Sequence, residues 1–320
     1  MAFLIGTDEA GYGPNLGPLV ITATVWQVPD EQRGEDLYDL LRDVVRRAES
    51  PEDRPGLVIA DSKRIYRPGS GLALLERGVL AALGTLGIRC ATWGAVWRKL
   101  APASQASLEA IPWYAGYDCA IPCELPAEDV DGTRQRLAEG LRAAGVALRQ
   151  IRCAAIFPAQ WNQLIDRQGS KGEILATQTL ELLRQALEGL EASPVLVQCD
   201  KFGGRNRYSR FLQTTFPDYL VEVVHEGRAR SVYRWGPQHQ RVECRFAAKG
   251  EEFLPAALAS MTSKYLRELA MAPFNQFWLR HLPGLQPTAG YPLDARRFKS
   301  QIADVQARLG IDDRSLWRRK

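Results

Sequence analysis

At 320 residues, 46% apolar and 24% charged, the chain can bury a large core and has an ordinary globular composition, which excludes a disordered or fibrous protein. No apolar run approaches the roughly 18 residues that span a membrane, and the start lacks an export-signal pattern, so a cytoplasmic protein is expected. Three histidines and six scattered cysteines without a CxxC pair leave acid, base or metal chemistry to carboxylates; the net charge of +4 is modest.

The chain opens with an apolar run, Phe3 to Ile5, which reads as a buried strand ending in Asp8-Glu9 and a loop rich in glycine, Gly11-Tyr12-Gly13-Pro14-Asn15-Leu16-Gly17. Leu16 to Val28 reads as a second strand, dominated by β-branched residues. Glu31 to Ala48 has apolar residues at helical spacing and predicts a helix, and a charged, proline-containing link follows. Leu57 to Ala60 is a short apolar run ending in Asp61-Ser62-Lys63. Gly71 to Leu86 predicts a helix, and Ile88 to Trp93 a strand. Residues near 90–158 read as an insertion, with Trp97, Trp113, Tyr114 and Tyr117 among prolines and alanines; these aromatics are expected to pack rather than stack on bases. Within it, Thr133 to Ala144 reads as a helix and Ala147 to Ala155 as a strand.

Gly172 to Leu190 predicts a long helix. Pro194 to Cys199 is a strand-like run ending in Asp200, and a helix over Tyr208 to Phe216 and three short strands follow. Lys249-Gly250-Glu251-Glu252 leads into a helix from Leu254 to Met271, continued over Pro273 to Leu282. Leu293 to Leu309 is a last helix. Strands and helices in this order imply an α/β fold with a mixed sheet flanked by helices. We divide it into residues 1–270, carrying the site and the insertion near 90–158, and a helical extension over 271–320.

Three strand-like runs thus end in acid, at Asp8-Glu9, Asp61 and Asp200, and a fourth acidic pair opens a helix. Such acids can converge at one sheet edge, and an oxygen-only cluster suits Mg²⁺ or Mn²⁺; two such ions cleave phosphodiesters. Asp200 to Lys249 holds ten Lys/Arg against five Asp/Glu, which fits a polyanionic partner.

The segment Gly6 to Val20 resembles the opening motif of the type 2 ribonucleases H, ribonucleases HII and HIII. Asp61-Ser62-Lys63, Asn162 through Leu187, Val195 to Asp200, Lys249-Gly250-Glu251 with Ala259-Ser260 and Lys264 to Arg267, and Gly290-Tyr291-Pro292 resemble later family segments in family order. The resemblance implies a ribonuclease H-like fold and a metal-dependent endoribonuclease. It would hydrolyse the RNA strand of RNA–DNA hybrids, or at ribonucleotides in duplex DNA, leaving 5′-phosphate and 3′-hydroxyl ends. Apart from the resemblance, a cytoplasmic monomer without membrane contact is expected.

The resemblance further implies that Asp8, Glu9, Asp200 and Glu251 hold two Mg²⁺ or Mn²⁺ ions and are catalytic. Lys63 would contact phosphate. Gly11, Tyr12 and Gly13 would lie by the ribose 2′-hydroxyl. Ser260 and Lys264 would support the helix and backbone contacts, and Tyr291 would stack on a sugar. The chain departs from the family at Tyr12, where arginine is usual, at Glu251, where aspartate is usual and Glu252 is the other candidate, and after Tyr291. These departures leave two alternatives open: the same fold acting on another structured nucleic acid, or a hybrid-binding protein without catalysis.

Overall fold

The first two apolar runs form an antiparallel pair, β1 (Ala2–Ala10) and β2 (Leu19–Val28), in a computed structural model that describes residues 1–51, 56–67, 69–190, 192–248 and 252–319. A single helical turn, α1 (Leu37–Leu40), and two short parallel strands, β3 (Val45–Arg46) and β4 (Leu57–Val58), follow. The helix expected over Glu31 to Ala48 is therefore broken up. Its apolar residues Leu37, Tyr38, Leu41 and Val45 are still buried. The backbone, however, is drawn into a ladder with β4, where Leu57 N–H donates to Val44 O (2.7 Å) and Ile59 N–H to Arg46 O (3.1 Å). Tertiary pairing outweighs helical spacing here.

The chain continues through α2 (Ser62–Ile65), α3 (Ala73–Thr85), α4 (Trp93–Leu100), α5 (Gln105–Ala110) and α6 (Ala127–Ala143) to β5 (Ala147–Ile156). The strand expected over Ile88 to Trp93 is reduced to one bridge, Thr92 to Ala120. Thr92 instead caps α4, its hydroxyl accepting from Ala95 N–H (3.3 Å). Two helices follow, α7 (Pro158–Gln168) and α8 (Lys171–Leu187), the second being the helix expected over Gly172 to Leu190; the chain breaks at Gly169, and Ser170 caps α8. Then come β6 (Val195–Asp200), α9 (Ser209–Thr215), β7 (Glu222–Glu226), β8 (Arg230–Trp235), β9 (Val242–Ala247), α10 (Leu254–His281), α11 (Pro292–Arg308) and α12 (Asp313–Leu316).

Seven strands make one mixed sheet in the order β5-β2-β1-β6-β9-β8-β7. β1 pairs antiparallel with β2 and parallel with β6, and β6 pairs parallel with β9. Both sheet faces are covered, which is why β1 and β2 read as near-continuous apolar runs. On one face Phe3, Ile5, Val195 and Val197 pack with α8 residues such as Leu175 and Leu183. On the other, Leu4, Val20 and Trp26 pack with α10, α3 and the region 93–114. Among the described residues no helix is long and apolar enough to cross a membrane.

Residues 90–158 share this core. Trp93, Trp97, Trp113 and Tyr114 are buried, in contact with Phe157 and Phe274, and β5 is the sheet's edge beside β2. The aromatics pack, as expected. One of them repairs a defect in α10. Pro273 lies inside that helix and lacks the N–H that would bond Leu269 O. The Trp93 indole N–H donates to that carbonyl instead (2.7 Å). The expected 270/271 boundary falls inside α10.

The contact that sets α10 on the sheet is at Gly6. A β-carbon there would lie 2.1 Å from the Ala256 nitrogen and 2.3 Å from the Pro255 carbonyl carbon, both backbone atoms of the first turn of α10. Thr24 Oγ1 donates to Pro255 O (2.7 Å) beside it. Gly6→Ala is therefore expected to lower unfolding stability by about 3 kcal/mol or more, since only separating helix from sheet makes room. Gly132→Ala in α6 meets nothing within 4 Å and is expected to gain about 0.5–1 kcal/mol. Urea unfolding of both variants checks the contrast, and equal effects would contradict it.

Candidate active site

The acids at the ends of β1 and β6 are brought together by strand register. The parallel ladder ends at Thr7–Cys199, so Asp8 and Asp200 stand side by side one residue further on. Side chains alternate along a strand. Asp8 and Asp200 thus project on the α10 face, and Glu9 on the α8 face. All three are partly buried.

Asp61 joins them from α2. It is buried and caps that helix, accepting from Lys63 N–H (3.1 Å). Ser260 of α10 ties the group together. Its hydroxyl donates to Asp61 Oδ1 (3.0 Å), lies 3.1 Å from Ser62 Oγ and accepts from Ser62 N–H (3.2 Å). The same hydroxyl lies on the Asp8 side of the group and favours the Asp8 carboxylate electrostatically. One turn on, Ser263 Oγ donates to Asp8 O (3.0 Å) and lies 2.7 Å from Thr22 Oγ1. Asp61 was visible as a strand-end acid, but its place facing Asp8 came only with the fold.

The electrostatics follow from burying like charges together. Burial, then Glu9, raises the Asp8 carboxyl well above the usual range; Asp61 adds to this and the Ser260 hydroxyl opposes it. Burial, then Asp200, raises Glu9 to about 7, with Lys63 opposing. Burial alone would push the Lys63 ammonium down, but Asp61, Asp8, Glu9 and Asp200 outweigh it and hold it above its ordinary value. Four carboxylates thus face this one ammonium, an excess of negative charge with only oxygen donors. That donor chemistry fits a hard divalent cation. As the side chains are placed, no three His, Cys, Asp or Glu among the described residues are close enough to hold an ion together. Glu251 lies outside the described residues. Glu252 is exposed near Ala60, Asp61 and Arg64.

The loop after β1 flanks these acids. Gly11 has φ 90°, and a β-carbon there would lie 2.5 Å from Arg267 Nε. Tyr12 is partly buried, and burial, then Glu9, raises its phenol while Arg205 opposes. Its hydroxyl lies near the positions that β-carbons at Gly203 (3.5 Å) and Gly172 (3.9 Å) would take, after β6 and at the start of α8. Gly13 is exposed beside Tyr291, itself 55% exposed. Lys264 is turned elsewhere: it pairs with Glu268 and lies over the Tyr66 ring (4.3 Å). Much of the basic segment is neutralised, with Arg234 and Arg245 on Glu243, Arg241 on Glu222 and Arg210 on Glu173.

No protein-family profile and no curated protein sequence matches the chain. Its structure is similar over nearly its whole length to type 2 ribonuclease H structures, at low sequence identity. One is from the PCNA:RNase HII complex of Archaeoglobus fulgidus (TM-score 0.42, 16% identity, 98% of this chain and 93% of that one). Others are ribonuclease H2 from Pyrococcus horikoshii OT3 (0.43, 16%, 98% and 92%) and Bst-RNase HIII in complex with Mn²⁺ (0.40, 16%, 99% and 66%).

A carboxyl whose value is raised on folding leaves the native state holding more protons than the unfolded chain, so stability falls as pH rises through that window. For Glu9 the window runs from 4.5 to about 7. In EDTA the melting temperature is expected to fall from acidic to mildly alkaline pH, and less steeply in Glu9→Gln. Identical slopes in thermal melts of the two proteins would rule out a buried Glu9 of this kind.

Proposed function

We propose that the chain is a type 2 ribonuclease H-like endonuclease. It hydrolyses the RNA strand of RNA–DNA hybrids, or at ribonucleotides in duplex DNA, leaving 5′-phosphate and 3′-hydroxyl ends, and acts as a monomer in the cytoplasm. The observation that carries this reading is the meeting of Asp8, Glu9 and Asp200 at the ends of two parallel strands, with Lys63 as their cation. The family-ordered motifs support it.

Asp8, Glu9 and Asp200, with Glu251 as fourth donor, would hold two Mg²⁺ or Mn²⁺ ions. When bound, such ions activate water and stabilise a leaving oxygen. The residues of the chain do the rest. Lys63, exposed beside the acids, would hold a phosphate oxygen. Ser260 keeps Asp61 in place through a hydrogen bond, and Ser263 does the same for the Asp8 carbonyl. Gly11, Tyr12 and Gly13 would meet the ribose 2′-hydroxyl, the group that separates RNA from DNA. Tyr291 would lay its exposed ring on a neighbouring sugar. Lys264 would reach the nucleic-acid backbone only by leaving Glu268.

Asp8→Asn and Asp200→Asn are each expected to reduce Mg²⁺- or Mn²⁺-dependent cleavage of a hybrid by a factor on the order of 10³. Lys63→Met is expected chiefly to raise KM. Unchanged cleavage by either Asn variant would sink the assignment. Tyr12 favours a second reading, with another structured nucleic acid as substrate. Equal cleavage of all-DNA branched substrates and of hybrids would select it, and tight hybrid binding without turnover would select a binding protein.

A further inference from the structure

The loop that flanks the acids rests on a buried cation that the chemistry above does not use. Arg318, 1% exposed, reaches under it from the segment that follows α12. Its Nη2 donates to the carbonyls of both Gly11 and Pro14. The backbone of Arg318 is bound to the same loop: its N–H donates to Asn15 O (2.8 Å), and its carbonyl accepts from Asn15 Nδ2 (2.9 Å). The guanidinium lies over the Trp161 ring (4.9 Å), and the Trp161 indole N–H donates to Arg319 O (2.9 Å). Asn162 latches the segment further, donating to Arg314 O (3.1 Å) and Trp317 O (2.8 Å) and accepting from Arg319 N–H (2.8 Å).

Among the described residues Arg318 has no carboxylate partner, and its Nε and Nη1 are buried without an acceptor. Keeping a guanidinium in such a place is costly. A helix-side neighbour does the same work on the next residues: Arg267, 2% exposed, donates to Leu16 O (3.2 Å) and Ala289 O (3.0 Å). Carbonyls of the loop are thus drawn inward by two arginines. In a trans peptide the carbonyl and the following N–H point in opposite directions. Turning Gly11 C=O inward therefore turns Tyr12 N–H outward. Neither Tyr12 nor Gly13 N–H donates a hydrogen bond within the described residues.

We propose that Arg318 is a positioning residue for substrate recognition. By holding the Gly11 carbonyl from below, with the Pro14 carbonyl as its second acceptor, it presents the Tyr12 amide to a ribose 2′-hydroxyl oxygen. This inference rests on the ribonuclease reading and deepens it.

The test uses the full chain with Arg318→Gln and Arg318→Lys, in EDTA so that nothing is cut. Fluorescence anisotropy measures Kd for an RNA–DNA hybrid and for an all-DNA duplex of the same sequence. Wild type is expected to favour the hybrid by about tenfold or more, the scale of one buried hydrogen bond. Arg318→Gln is expected to bring the ratio to within about threefold of unity. Arg318→Lys keeps the charge but cannot bridge two carbonyls, and is expected to lose at least about threefold of the preference. It also carries the test if the Gln variant does not fold. A folded variant with the wild-type ratio overturns the inference, because a merely structural role would move stability and not the ratio. A wild type without preference sinks the ribonuclease reading instead. Hydrogen exchange then judges Arg318 alone: Asn15 and Leu16 amides are expected to exchange about tenfold faster in the variant, with β5 unchanged, and equal exchange overturns the anchoring.

Discussion

The rest of the structure depends on the approach of α10 to β1 at Gly6. With no β-carbon at that position, the first turn of α10 lies directly on the strand. Everything else that α10 does is then set by helical spacing. Ala256 sits at Gly6, Ser260 one turn later reaches Asp61, Ser263 reaches Asp8 O, and Arg267 reaches Leu16 O. Met271 closes the series against Gly17, where a β-carbon would lie 2.4 Å from its sulfur. One helix thus lines the strand end, the acids and the loop in sequence. A larger residue at position 6 would displace all of these contacts together.

Two charge problems are set side by side on this frame. At the strand ends, carboxylates are crowded beyond what Lys63 neutralises, so Asp8 and Glu9 hold protons more tightly than exposed acids do. Under the loop, two guanidiniums are buried with carbonyls for partners. Burial pushes both Arg267 and Arg318 down, and the charge of Arg267 adds to the burden on Arg318. A site of this kind is stabilised by what binds it: cations at the acids, and an electron-rich oxygen over the loop. That complementarity is what the proposed function asks of the surface, which would hold a phosphodiester with its ribose.

What was legible in the sequence is what strand alternation and local capping determine. Asp8, Glu9 and Asp200 announce themselves because an anion that closes a buried strand is costly unless it is paired or binds a cation. The strands and the long helices follow from residue spacing. The failures are of a different kind. Glu31 to Ala48 has helical spacing, yet a ladder to β4 claims its backbone, and no local signal reports a partner strand beyond the charged link. Trp93 looked like the end of a strand because its real task, satisfying Leu269 O beside Pro273, is set 176 residues downstream. Arg318 was invisible for the same reason: its acceptors, Gly11 and Pro14, are 307 and 304 positions earlier. Glu251, the fourth acid in the sequence pattern, lies outside the described residues.

Tyr12 is where these threads meet. The resemblance would place an arginine there. Here the cations come from other directions. Arg205, from the loop after β6, lies close enough to Tyr12 to oppose the rise of its phenol, and its guanidinium is held over Phe211 (4.6 Å). Arg318 and Arg267 lie below. The tyrosine itself packs its ring with the α8-side core and carries its hydroxyl toward the chain after β6. Packed in this way, the side chain braces the loop against the α8-side core. Under the proposed function, contact with a ribose then falls to the Tyr12 backbone amide, whose direction follows from the guanidinium beneath it.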